Sequence, residues 1–338
     1  MNILENVSLK NYNTFGIDAK AGALAEVFSV NELQKILLQN DFKDSRRVVI
    51  GGGSNILFSK DVDGLLIKNS IPGINIIDEN NSTVLIEAGA GVNWHDLVTY
   101  CVNNNFGGIE NLSLIPGTAG AAPLQNIGAY GQELKDTFFS LRGIFVKNLT
   151  EKNFFKKECN FGYRNSIFKN ELKGKFIITY ITLRLLKNPE VNLNYASLRD
   201  EIEKLHLQVF SIRDVSNIVC EIRRSKLPDP AVIGNAGSFF KNPEIDELKF
   251  DELKKEYPDI RGYNSINGKV KLSAGWLIER CGWKGKRLGN VGSYSKQSLV
   301  IVNYGGATGE EILEFAKQIK NSVHDRFGIS LQEEVNIY

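Results

Sequence analysis

The sequence predicts an α+β fold, and three observations carry the prediction. Apolar, β-branched runs at Arg47–Ile50, Leu65–Lys68, Thr83–Ala88 and Phe176–Leu185 read as strands. Helical spacings stand among them without a clean βαβαβ repetition, which disfavours a doubly wound sheet. A chain of 338 residues also exceeds one ordinary core and suits two or three subdomains.

The helices follow in chain order. Trp94–Val102 forms a predicted helix opened by Asn93. Val209, Ile212, Val215, Ile218 and Ile222 repeat at helical spacing, and the segment KLPDP (226–230) stops them. That Pro-Asp-Pro segment is the clearest linker in the chain. Beyond it, Ser273 is placed to cap a helix through AGWLIERCG, with Gly282 at its end. Gly309–Arg326 reads as a long amphipathic helix with Ile312, Phe315, Ala316 and Ile319 on one face. The chain closes on LQEEVNIY, a short alternating strand. It holds no internal repeat and no low-complexity segment.

Composition narrows the function. With 42% hydrophobic and 24% charged residues the chain is globular, not disordered. Its 41 basic and 39 acidic residues leave a formal charge of +2, which argues against a nucleic-acid partner, although a local basic patch can still hold a phosphorylated small molecule. The N-terminus lacks the charged and apolar regions of a secretory signal, and no apolar run approaches the roughly 18–20 residues of a membrane span. Cys101, Cys159, Cys220 and Cys281 stand far apart with no CxxC pair. His95, His206 and His324 lack HExxH spacing. Neither a metal site nor a disulfide framework is expected, the cysteines read as small buried hydrophobes, and the compartment reads as cytoplasmic.

Five stretches carry candidate chemistry. VVIGGGSNILF (48–58) is a strand running into glycines, then Ser54 and Asn55; it fits a plain turn or a nest of N–H donors for a pyrophosphate. Neither standard nucleotide fingerprint is present. The second stretch, 107–133, is glycine-rich and uncharged between Glu110 and Glu133. A structureless loop of that length is uncommon and usually functional, and its small residues suit close approach to a large, flat cofactor. Tyr163 and Arg164 form either a core tyrosine with a surface cation, or an aromatic wall with a guanidinium fork for a carboxylate or phosphate. GNAGSFFKNP (234–243) sets Ser238 between a glycine and two phenylalanines, as a tight turn or a hydroxyl in a dry pocket. The consecutive Glu333 and Glu334 point opposite ways on a strand, so at most one serves a pocket.

Taken together and in order, the segments NTFGIDAKA (13–21), GGGSN (51–55), ENLSLIPGTAGAAPLQNIGAYGQE (110–133), FGYRNSIFK (161–169), KLPDP, GNAGSFFKNP, KLSAGWLIERCGWKG (271–285) and QSLVIVN (297–303) resemble the UDP-N-acetylenolpyruvoylglucosamine reductase family, from about Asn13 to Val335. The resemblance implies an FAD-binding fold of the vanillyl-alcohol oxidase and p-cresol methylhydroxylase type, with two subdomains, followed by a C-terminal α+β substrate-binding domain. The corresponding segments are 1–70, joined by the C-terminal strand, then 71–212 and 213–338. It further implies a reaction of peptidoglycan precursor synthesis. NADPH reduces FAD, and hydride from reduced flavin N5 passes to C3 of the enolpyruvyl ether of UDP-N-acetylglucosamine. A proton at C2 then gives UDP-N-acetylmuramate.

Residue by residue, the resemblance assigns Ser238 as proton donor, with Arg164 and Glu334 stabilising the enolate. Glu334 is expected to be protonated or bonded to Arg164, because an ionised carboxylate would repel that charge. Gly51, Gly52, Gly53, Ser54 and Asn55 would hold the flavin together with Ile115, Pro116, Gly117, Gly120, Asn126, Gly128, Ala129, Tyr130 and Gly131. Tyr163, Lys226, Asn242, Lys284 and Gln297 would contact the nucleotide sugar or its diphosphate. Tyr195, in LNYASL, would close over the diphosphate, as in the longer form of the family. Gln332 and Glu333 depart from the family's usual acid and proline. The expected partners are small molecules, with no nucleic acid and no membrane, and the expected state is a monomer. The competing readings are an FAD oxidase of the same fold and a non-catalytic flavin-binding protein.

Overall fold

The computed structural model describes residues 2–39, 42, 45–205, 211–264 and 268–338. Val209 of the helical stripe and His206 lie outside the described residues. Contacts group the chain into two units. The first comprises Met1–Val7, Ala21–Gly53 and Val62–Ser225, and the second Ser8–Lys20, Ser54–Asp61 and Lys226–Tyr338.

In the first unit a four-stranded sheet runs in the order Ile3–Ser8, Lys20–Val27, Val62–Asn69, Arg47–Ile50, and the last three strands are mutually parallel. The helix Val30–Leu37 supplies the crossover. Ser29 caps it by accepting from the Glu32 N–H, and its stripe of Leu33, Ile36 and Leu37 packs with Ala23, Ala25, Val27, Leu65 and Ile67. Ile144 and Ile177 share that cluster, which ties it to a second, antiparallel sheet. This five-stranded sheet has the order Glu151–Phe155, Phe138–Phe145, Phe176–Leu186, Thr83–Gly89, Ile74–Glu79. The helix Trp94–Asn103 buries Trp94, Leu97, Val98 and Cys101 in the same core as Ile86, Leu141 and Ile181, and Asn93 caps it as expected.

The expected boundary at 212/213 falls at the start of the helix Ile212–Lys226, most of which belongs to the first unit. The cause is packing: Val215, Ile218, Val219 and Ile222 share one core with Leu198 and Ile202. The expected boundary at 70/71 lies between the two sheets of that unit.

In the second unit an antiparallel sheet is ordered Gly234–Ser238, Gln297–Asn303, Val291–Tyr294, Arg287–Leu288. The helix Gly309–Phe327 starts from a capping box between Thr308 and Glu311 and ends on left-handed Gly328. Ser273 caps Ala274–Arg280 through the Trp276 N–H, as the sequence predicts. The closing strand is shorter than expected. Only Asn336–Ile337 pairs regularly, parallel to Ile56–Leu57, while 331–335 is fixed by single bonds described below.

Among the described residues no helix is long and apolar enough to cross a membrane. Cys101, Cys159 and Cys220 are buried, and burial pushes the Cys101 and Cys159 thiols up to about 12.

Candidate active site

The predicted residues form two clusters, one in each unit. In the first unit the stretch 107–133 is not structureless. It contains 3-10 turns at Glu110–Leu112 and Ala119–Gln125 and a small hairpin of Gly128–Ala129 with Gln132–Glu133. Leu114, Asn126 and Tyr130 adopt left-handed φ of 57, 43 and 48°, and Gly117 and Gly131 have φ of 114 and 80°. A non-glycine residue held there is strained and needs outside support. That support is polar. Buried Asn126 accepts from the Lys135 N–H and donates to Gly162 O, while Asn111 donates to Tyr130 O and to Asn192 O. Glu110 is 2% exposed and accepts from the Gly108 N–H at 2.6 Å; burial holds its carboxyl above the usual range.

This loop lies against the GGG segment. A Cβ on Gly51 would stand 2.1 Å from Thr118 Oγ1, one on Gly52 3.3 Å from Gly117 Cα, and one on Gly120 2.4 Å from Ala90 Cβ. The backbones therefore approach more closely than side chains allow. The resulting surface is small, uncharged and rich in peptide groups, which fits a flavin diphosphate and ring.

Arg164 joins the same cluster. It has φ of 50°, its Nη2 donates to Gly128 O at 2.8 Å, and its guanidinium lies 5.7 Å from the Tyr163 ring centroid. Tyr195, 47% exposed, packs edge-on to Tyr130 with ring centroids 5.4 Å apart. Asn192 fastens the tyrosine loop by donating to Gly131 O.

Arg223 is not among the expected site residues. Its Nε donates to Leu114 O at 3.1 Å and it hydrogen-bonds the Tyr130 hydroxyl; burial holds its guanidinium below the usual value, and nearby Arg164 acts in the same direction. The sequence does hold a signal. Arg223 follows buried Val219 by four positions, so it lies beside the apolar stripe of its helix.

In the second unit Ser238 ends the strand Gly234–Ser238 opposite Val300, after a register shift. Asn235 shapes the approach. Its side chain accepts from the Gly237 N–H, and its own N–H and carbonyl pair with Thr14. Gly237 has φ of 69°, and a Cβ there would meet nothing within 4 Å. Phe239 and Phe240 are 0% and 1% exposed, and Phe239 stacks edge-on against Phe15. Their backbone holds the chain end: Glu334 N–H donates to Phe239 O at 2.8 Å, and Lys241 N–H to Gln332 O at 2.9 Å. Glu333 accepts from Lys320 Nζ at 2.7 Å, which gives the departing acid its own cation. Asn55 donates to Glu334 O and accepts from the Asn336 N–H. Ser238, Glu334 and Asn55 are thus fixed by one backbone network.

The remaining predicted contacts are looser. Asn242 Oδ1 accepts from the Ala274 N–H, supporting the start of a helix. Lys284 pairs with Glu279 at 3.0 Å on the surface, Lys226 is exposed at a helix end, and Gln297 starts its strand half-buried.

Residues 21–146 match the family model described as FAD binding domain, and 229–338 match that of the UDP-N-acetylenolpyruvoylglucosamine reductase C-terminal domain. The chain is 49% identical to the UDP-N-acetylenolpyruvoylglucosamine reductase of Flavobacterium johnsoniae, over all of both chains. It is 44% identical to that of Pseudomonas aeruginosa, over 100% of this chain and 99% of the relative. The crystal structure of the Thermus caldophilus enzyme shares the fold, with a TM-score of 0.71 at 23% identity over 100% of this chain and 99% of that one. The chain belongs to the UDP-N-acetylenolpyruvoylglucosamine reductase family and is an FAD-dependent oxidoreductase, with an FAD-binding domain followed by the family's C-terminal domain.

Proposed function

We propose that this enzyme reduces the enolpyruvyl ether of UDP-N-acetylglucosamine to UDP-N-acetylmuramate with NADPH, as a cytoplasmic monomer in peptidoglycan precursor synthesis. On this reading segments 1–70 and 71–212 serve the flavin and 213–338 the substrate. The observation that carries it is the backbone bond from Glu334 N–H to Phe239 O, which holds the Glu334 segment against the residue that follows Ser238.

FAD, when bound, would supply hydride-transfer chemistry with NADPH as reductant. Gly51–Asn55 and the Ile115–Gly131 loop would hold it through peptide N–H groups and small side chains. Arg164 offers a guanidinium to the substrate carboxylate, where charge accumulates as C3 is reduced. Ser238 holds a proton for C2. A hydroxyl is a weak acid, but an enolate carbon is a strong base, and the buried phenylalanines keep water from competing. Glu334 acts protonated or bonded to a cation, since a free carboxylate beside that charge is repulsive. Tyr195 closes over the diphosphate, and Tyr163, Lys226, Asn242, Lys284 and Gln297 contact the nucleotide sugar or its diphosphate.

The test is anaerobic spectroscopy of the purified yellow protein. NADPH should bleach the flavin and the enolpyruvyl sugar nucleotide should restore its colour. Restoration by oxygen alone, with indifference to that substrate, would make it an oxidase instead.

A further inference from the structure

A cavity of about 380 Å³ opens in the first unit between the helices Trp94–Asn103 and Ile212–Lys226, apart from the residues assigned to flavin or substrate. His95, Arg213, Ser216, Cys220, Glu221 and Arg224 line it. Two guanidinium groups face a single carboxylate, so the lining is cationic even with a neutral imidazole.

The imidazole is set as a donor. His95 Nδ1 accepts from the Leu114 N–H at 3.0 Å, so in the neutral ring the proton resides on Nε2. Ser113 donates to Glu110 O, which makes Ser216 the donor of the 2.7 Å bond between the two hydroxyls. The cavity wall is thereby linked to Leu114, whose φ is 57° and whose carbonyl accepts from Arg223. Burial lowers the His95 pKa, Arg224 and Arg223 add to this, and Asp96 opposes it.

We propose that this cavity binds a small multiply charged anion, phosphate or carboxylate, through Arg213, Arg224 and His95, and that occupancy is felt at the Leu114 turn. The anion offsets the crowding of cations, and its charge favours the imidazolium. Protonation of Nδ1 removes the acceptor of the Leu114 N–H, so binding and the geometry of that turn are linked.

The experiment is a titration of the FAD-loaded enzyme with pyrophosphate, and separately with citrate, at constant ionic strength, followed by NMR. The histidine ring signal missing in His95→Asn should move saturably, its pKa should rise, and the Leu114 amide should follow the same curve. Arg213→Gln/Arg224→Gln should weaken binding at least tenfold, with an unchanged flavin spectrum and melting temperature. Earlier saturation by pyrophosphate assigns a phosphate ligand, and earlier saturation by citrate a carboxylate. A non-saturating shift, equal affinity in the double variant, or a stationary Leu114 amide would overturn the proposal.

Discussion

The two candidate clusters are built by opposite means. Ser238 ends a strand, and backbone bonds hold the Glu334 segment to it at the buried pair Phe239 and Phe240. The Leu114–Gly131 loop stands on left-handed residues and single polar anchors such as Asn111, Asn126 and His95. The first arrangement draws on a hydrophobic core. The second depends on bonds that one substitution or one proton can remove. Proton transfer needs a rigidly placed group, whereas a cofactor cradle needs exposed peptide groups, and each region has the architecture its proposed task demands.

Four perturbations test that contrast, in falling order of effect. Phe239→Ala should cost about 3–5 kcal/mol, because it empties a fully buried site beneath the backbone that holds Glu334. Urea unfolding reads that loss, and a cost below about 1 kcal/mol would show that strand pairing does not rest on this core. Gly120→Ala should cost about 1–3 kcal/mol and release flavin, since its Cβ would fall 2.4 Å from that of Ala90. Flavin content after gel filtration measures the effect, and full retention would refute the close-packed cradle.

The third perturbation is pH. The folded-state pKa of His95 lies below its ordinary value of about 6.5, chiefly through burial. The unfolded chain therefore takes up the proton first, so this contribution to stability is present above about pH 6.5 and declines as the pH falls below it. The melting temperature should drop on acidification by less in His95→Asn than in wild type, and identical profiles would contradict the anchoring role of His95. The smallest change is expected for Lys284→Ala. Its exposed pair with Glu279 contributes under about 1 kcal/mol, so unfolding should hardly change while the KM for the sugar nucleotide rises. An unchanged KM would assign Lys284 to the surface pair alone.

Elements with strong periodicity were legible in the sequence. Thr83–Gly89, Phe176–Leu186, Trp94–Asn103 and Gly309–Phe327 match their predicted spans to within a residue at each end, because burial enforces the pattern that reveals it. The helix Val30–Leu37 is not among the expected elements, although Ser29 and Glu32 mark its start. The 3-10 turns of 110–125 were illegible, since they rest on contacts distant in sequence, such as Asn126 with Gly162. The C-terminal alternation overstated its strand, because single bonds to Phe239 and Lys241 replace a regular ladder. In the site, motif glycines were visible, but Arg223 was not: a cation within IRRSK reads as surface until its helix is packed against Tyr130.

The central claim is that Ser238 supplies the proton to carbon, and stopped-flow comparison of wild type with Ser238→Ala addresses it most directly. Flavin reduction by NADPH should proceed at the wild-type rate, while reoxidation by the enolpyruvyl sugar nucleotide should slow by roughly 10²–10⁴-fold. Equal loss in both half-reactions, or unimpaired reoxidation, would contradict the role assigned to Ser238.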